Sequence, residues 1–248
     1  WCSLSMSEIN IFKFDVSLFK LRFESKFWKM IFRKGMTIVL VAISHIVTAQ
    51  IGVILPGLSQ RFEWYNQAKR FEILDNKMII TAGKGTDMFR DPGVTYNTDN
   101  APKILTSVTG DFVASAAVSH GFLNKWDGGA MVLLQDSFNW VKFCFEKDYL
   151  GKHRIVSVVT RDVSDDCNSA FVEGSRVYLK MARKGKVVTL YFSEDKMNWT
   201  LVRHVQLAWN KELKFGFLAQ SPTGESCTAT FEDIYFEYKT INDPYLGQ

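Results

Sequence analysis

The sequence predicts an all-β sandwich, and three observations predict it. Between residues 56 and 240 helical periodicity is scarce, and short strand-like runs alternate with turn signals. Aromatic residues make up 14% of the chain, with 20 Phe and 7 Trp, and such side chains fit a pleated, half-buried surface better than a helix. No Pro/Ser/Gly linker, low-complexity block or repeat of fixed period divides this stretch, so it reads as a single domain. A hydrophobic content of 47% supports a sizeable core.

The elements follow in order. Residues 1–29 precede Met30 and read as an upstream or fragment segment. Arg33 and Lys34 then stand before an apolar run from Met36 that continues to Ala49. A basic start, an apolar stretch and the small residues of Val47-Thr48-Ala49 are the parts of a secretory signal peptide. Residues 30–49 are therefore expected to be one, cleaved near Ala49–Gln50, which places the mature protein outside the cell or in the periplasm with no stable membrane span. A rival reading stays open: an N-terminal anchor reaching Leu55, near the lower limit of the ~20 apolar residues a span needs. Ser44, His45 and Gln50 interrupt that stretch.

Residues 50–241 are the expected sandwich, and 242–248 a mobile tail. Strand candidates are Lys77–Ala82, Asp111–Ser119, Met131–Leu134, Trp140–Glu146, Arg154–Arg161, Arg176–Arg183, Lys186–Ser193, Thr200–Val205, Leu213–Gln220 and Thr228–Lys239. Arg183-Lys184-Gly185-Lys186 marks a hairpin. Residues Glu194–Asn198 mark another tight turn before Trp199, which reads as a core anchor within the glycosylation sequon Asn198-Trp199-Thr200. Trp64, with Phe62 and Phe71, is expected to cover a sheet edge.

Charge and cysteines exclude several functions. The net charge is +4, but residues 1–49 hold seven Lys/Arg against three acids. The remainder carries 23 basic and 23 acidic residues, so the fold lacks the basic footprint of a nucleic-acid-binding domain. Beyond Cys2, the cysteines Cys144, Cys167 and Cys227 have no C-x-x-C spacing, and one disulfide or three separate thiols both fit. The four histidines are scattered, and no zinc-ligand pattern exists. Gly83-Lys84-Gly85-Thr86 lacks the spacing of a phosphate loop. No organic cofactor is expected.

One segment carries the main clue. WDGGAMVLLQDSFNWVKFCFE, Trp126 to Glu146, reads as two strands joined by Asp136-Ser137-Phe138-Asn139. In the second, Val141, Phe143 and Phe145 point one way, and Trp140, Lys142, Cys144 and Glu146 the other. The first set is a core stripe. The second puts a ring, a cation and a carboxylate in one row, an unusual composition for a face that meets only solvent.

Several segments together resemble a known family. FEWYNQAKRFEI (62–73), KGTDMFRDPG (84–93), GDF (110–112), the 126–146 segment, SVVTRDVSDD (157–166), VYLKMARKGKVVTLYFSEDKMNWTLV (177–202), FGFLAQSPTGE (215–225) and FEDIYFE (231–237) occur in this order. They resemble the domain-of-unknown-function family called "regulation of enolase protein 1, concanavalin A-like superfamily", over about residues 60–240. The resemblance implies a concanavalin A-like jelly roll, two curved antiparallel sheets with one concave face, and no established catalysis. The chain departs from the family pattern at Asp166-Cys167, where an aromatic often follows a Ser-Asp pair, and at Cys144, where Gly is common.

Jelly rolls of this type often bind glycans on the concave sheet. A sugar's apolar face stacks on an aromatic ring, and its hydroxyls need fixed donors and acceptors. The expected ligand set is Trp140, Lys142 and Glu146 on one strand, Tyr178 and Lys180 on another strand of the same sheet, and Asp127. The partner would be an oligo- or polysaccharide. Two other readings stay open: a glycan-active hydrolase, and a protein-interaction scaffold with a flat or filled face. Hydrolysis needs two suitably spaced carboxylates. Glu146-Lys147-Asp148 matches the first two positions of the E-x-D-x-x-E strand of laminarinase-like relatives, but Gly151 occupies the third, leaving Glu146 with Asp127 or Asp165 as the candidate pair. Asp162, Asp165, Asp166 and Asn168 form an oxygen-rich segment read as a loop with the ligand types of a calcium site.

Overall fold

The computed structural model describes residues 52–248. The expected upstream segment (1–29), the expected signal peptide (30–49) and Cys2 lie outside the described residues. Seventeen strands follow in order: β1 Val53–Ile54, β2 Arg61–Tyr65, β3 Arg70–Leu74, β4 Lys77–Gly83, β5 Met88–Arg90, β6 Asn97–Asp99, β7 Lys103–Val108, β8 Phe112–His120, β9 Gly128–Asp136, β10 Asn139–Lys147, β11 His153–Arg161, β12 Val163–Phe171, β13 Arg176–Lys184, β14 Val187–Ser193, β15 Thr200–Gln206, β16 Leu213–Gln220 and β17 Ser226–Glu237. No helix among the described residues is long and apolar enough to cross a membrane.

Two antiparallel sheets result. One has eight strands in the order β1-β2-β7-β16-β9-β10-β11-β12, the other seven in the order β15-β14-β13-β8-β17-β4-β3, and β5 and β6 pair separately. The core lies between the two large sheets, because each central strand sends alternate residues inward. Met131 and Leu133 of β9, Val141, Phe143 and Phe145 of β10, and Phe215 and Phe217 of β16 meet Ala116 and Val118 of β8, Val177, Leu179 and Met181 of β13, and Phe231 of β17. Aromatic contacts tie the layers, with Phe217–Phe231 centroids 5.1 Å apart and Phe112–Phe215 5.6 Å apart. Burial of each such ring contributes roughly 1.5–3 kcal/mol.

Every strand candidate read from the sequence falls on a strand, and the 183–186 hairpin joins β13 to β14 with Gly185 at φ +57°. Trp64 packs edge-on against Phe71, with centroids 5.1 Å apart, whereas Phe62 is fully buried in the core against Phe217 rather than at a sheet edge. One reading is corrected. Asp165, Asp166 and Asn168 belong to β12, not to a loop; this strand closes an edge of the eight-stranded sheet, where polar side chains discourage further pairing. The described residues contain no cluster of His, Cys, Asp and Glu able to hold a metal ion. Cys144, Cys167 and Cys227 are all free thiols.

The tail is also different from expectation. Ile241 is buried, the Tyr191 hydroxyl donates to the Pro244 carbonyl, and Lys180 Nζ donates to Gly247 O at 3.0 Å. The last residues therefore lie against the outer face of the seven-stranded sheet, fastened by side chains from β13 and β14.

Candidate functional site

The site begins with the alternation of β10. With its odd residues in the core, Trp140, Lys142, Cys144 and Glu146 project from the outer face of the eight-stranded sheet. In the neighbouring strands Lys142 faces Val132 and Val158, Cys144 faces Ala130 and Val156, and Glu146 faces Gly128 and Arg154. The small residues make room. A Cβ on Gly128 would stand 2.8 Å from Cys144 Sγ and 2.9 Å from Glu146 Cβ, closer than side chains tolerate. Its neighbour Gly129 clears the opposite face, where a Cβ would stand 2.8 Å from Val118 Cγ1. The Gly-Gly pair thus serves the pocket and the core in turn.

A pocket of about 380 Å³ opens on this face, within the size range of small-molecule sites. Lys142, Glu146, Val156 and Val158 form its floor, with Asp166 of β12 and Gln220 of β16 beside them. Asp87, Phe89, Tyr96 and Thr98, from the segment that holds β5 and β6, stand on one side; Trp126, Pro222 and Thr223 supply the remaining lining. The covering segment is pinned to the sheet edge by Arg90, whose amide donates to Ser164 Oγ at 3.0 Å.

The polar floor is internally connected. Lys142 Nζ donates to Gln220 Oε1 at 2.9 Å and lies 3.5 Å from Asp87 Oδ1. The Gln220 amide donates to the Trp126 carbonyl at 2.9 Å and reaches Glu146 Oε2 at 3.5 Å. Burial pushes the Glu146 carboxyl up to about 8, reinforced by Asp166 and Asp87 and opposed by Lys142 and a hydrogen bond from Cys144. Burial works against the Lys142 ammonium too, but Asp87, Cys144, Glu146 and Asp166 outweigh it and hold Lys142 above its ordinary value. Lost hydration at the pocket edge raises the Asp166 carboxyl, against the pull of Lys142. Near neutral pH the floor therefore offers an ammonium, a protonated carboxylic acid, an amide and two further carboxyl groups: donors and acceptors in fixed places.

Trp126 is an exposed ring of the site, 42% accessible, as is Tyr96 at 51%. The Trp126 backbone is left-handed, φ +62°, which costs a non-glycine residue about 1–3 kcal/mol. The conformation is held from both sides: its amide donates to Lys147 O at 2.6 Å and its carbonyl accepts from Gln220. Such strain concentrates at ligand clamps and active sites.

Of the residues expected from sequence, Lys142 and Glu146 line the pocket together. The other four are corrected. Trp140 is 1% exposed and belongs to an apolar cluster with Met88, Ala101, Leu105, Leu134 and Leu218, because the segment around β5 lies over that end of the face. Tyr178 and Lys180 lie on β13, in the other sheet, and cannot share a groove with β10. Tyr178 donates to Asp233 Oδ2 at 3.1 Å, and the Lys180 ammonium sits 3.8 Å over the Trp199 ring under the tail. Asp127 is buried and fully engaged: Oδ1 accepts from Ser221 Oγ at 2.8 Å and Oδ2 from the Asn124 amide at 3.0 Å. It fastens the turn that carries Trp126 to the 221–223 loop, so its role is positional.

Sequence reading missed Asp87, Phe89, Tyr96, Trp126, Asp166 and Gln220. A signal for them existed. Four segments that carried the family resemblance, 84–93, 126–146, 157–166 and 215–225, all converge on this pocket.

Comparison with known proteins agrees with that resemblance. A family model described as "Protein of unknown function (DUF1349)" matches residues 64–239. The curated "Regulation of enolase protein 1" of Saccharomyces cerevisiae is 22% identical over 171 residues, 68% of this chain and 86% of that protein. A solved structure of a functionally unknown Saccharomyces cerevisiae protein superposes with a TM-score of 0.67 at 20% identity, covering 71% of this chain and 95% of that one. A GH43 protein of Bacillus licheniformis superposes with a TM-score of 0.58 at 12% identity over 72% of this chain, which spans only 37% of that larger protein. These structural likenesses concern the fold.

Proposed function

Since the chain belongs to the DUF1349 family, whose description assigns no activity, we propose a function from the pocket itself: a carbohydrate-binding β-sandwich with its ligand site over β10. One observation carries this reading. Exposed or half-exposed rings, Trp126, Phe89 and Tyr96, stand around a floor of fixed hydrogen-bonding groups, Lys142, Glu146, Gln220, Asp87 and Asp166. A sugar ring needs that combination: an apolar face to stack and hydroxyls to satisfy. The walled shape also favours a small ligand over the flat or filled face expected of a scaffold module. The likeness to a GH43 protein adds a shared fold and nothing more specific.

The test is a glycan array probed with residues 50–248, followed by titration of any ligand found. Trp126→Ala should weaken binding by at least about 30-fold, the ~2 kcal/mol typical of a truncated hot-spot ring. Its circular dichroism should be unchanged, because Trp126 is exposed. Unaltered affinity in this variant would remove the ring from the site.

A second reading has its own support. A carboxyl that keeps its proton up to about pH 8 is suited to general-acid work, so the same pocket supports a glycan-active hydrolase with Glu146 as the acid. Turnover of aryl glycosides that disappears in Glu146→Gln while binding persists would establish it.

Export completes the proposal. It rests on the basic, apolar and small-residue order of residues 33–49. Mass spectrometry of the exported protein should find a start near Gln50; an intact apolar segment retained in membranes would replace the signal peptide with an anchor.

A further inference from the structure

We infer that the pocket selects uncharged saccharides and rejects those carrying carboxylate or sulfate groups, an inference that rests on the saccharide reading above. Three acidic side chains line the pocket, Asp87, Glu146 and Asp166, against a single cation, Lys142; with Glu146 protonated near neutral pH, two carboxylates face one ammonium. That cation is not free to receive an anion. It is buried at the floor, donates to Gln220 Oε1 at 2.9 Å, and has the Asp87 carboxylate 3.5 Å away. Asp87 thus balances the ammonium before any ligand arrives. Asp166 then stands exposed on the pocket wall with no ion-pair partner among the described residues, and its hydrogen bond from Asn168 is a long 3.4 Å.

A ligand carboxylate would meet this surplus negative charge in a site partly shielded from water, where like charges a few ångströms apart repel strongly. A hydroxyl in the same place can donate to Asp166, which an ionised carboxylate or sulfate cannot. The arrangement therefore rewards groups that can donate, and penalises groups that only accept.

Matched oligosaccharide pairs test this, titrated calorimetrically into the protein at pH 6.5: cellotetraose against its C6-carboxylated form, xylotetraose against its glucuronate-branched form, and methyl-esterified tetragalacturonate against the free acid. For any backbone that binds, the acidic member should bind at least about tenfold more weakly. Asp166→Asn, titrated with both members, should narrow that ratio whatever it does to the neutral member's own affinity, and an unchanged ratio would take Asp166 out of the discrimination. Equal or tighter binding of the acidic member would overturn the selectivity and leave the saccharide reading standing. If neither member of any pair binds, while circular dichroism shows a folded protein, the saccharide reading falls and this inference with it.

Discussion

Glu146→Gln is expected to make the protein several kcal/mol more stable at pH 9 and to leave it nearly unchanged at pH 5. Within the folded protein the carboxyl keeps its proton up to about pH 8, while its ordinary value is 4.5. Between those limits the folded chain binds more protons than the unfolded one. The linked stability is therefore complete below about 4.5 and is lost as pH rises through 8. At about 1.4 kcal/mol per pH unit, the full loss is on the order of 5 kcal/mol. The groups facing Glu146 are Lys142 and Cys144 on its own strand, Asp166 on β12 and Asp87 before β5. Arg154, opposite it on β11, is committed to Asp148 at 2.9 Å. A glutamine keeps the shape and the polar contact with Gln220 but has nothing to ionise. Urea unfolding of both proteins at pH 5, 7 and 9 measures the difference, and parallel pH profiles would mean that Glu146 ionises as if solvated.

Trp140→Ala is expected to cost about 3–5 kcal/mol of stability, the range for deleting a buried large aromatic side chain. The indole is 1% exposed and packs in the cluster of Met88, Leu105, Leu134 and Leu218. Its loss leaves a void beneath the segment that carries β5 and β6, so the covering wall loosens along with the sheet. Binding should fall as a consequence of that loosening. Trp140→Phe, which refills most of the space, should restore much of both. A cost under about 1 kcal/mol in urea unfolding would show the indole lying free of the cluster. The contrast with Trp126 is direct: one tryptophan is packed beneath the covering segment and the other stands exposed beside the pocket.

Much of the fold was legible because alternation is local. Phe143 and Phe145 declare their face within five residues of Val141, and the burial pattern of β10 follows. β12 was not legible, since VSDDCNSAF lacks apolar alternation; an edge strand needs none. The site was legible only as far as one strand reaches. Lys142 and Glu146 follow from the parity of β10. The fate of Trp140 depends on a segment some fifty residues upstream folding over it, and no local pattern reports that. Tyr178 and Lys180 have the right parity for an outer face, but which sheet β13 joins is decided by strand order. Asp127 has the right chemistry and the wrong partners.

The strand order has a consequence for synthesis. β16 lies between β7 and β9, and β17 between β8 and β4, so the two most C-terminal of the described strands occupy interior positions of the two sheets. As the chain leaves the ribosome, the apolar β8 and β9 wait with open edges until residues near Glu237 emerge. Closure then joins partners roughly 80 to 150 residues apart, which makes folding slow and exposes sticky intermediates. A ribosome that stopped before residue 213 would release a chain unable to complete either sheet, and every nascent copy passes through that vulnerable state.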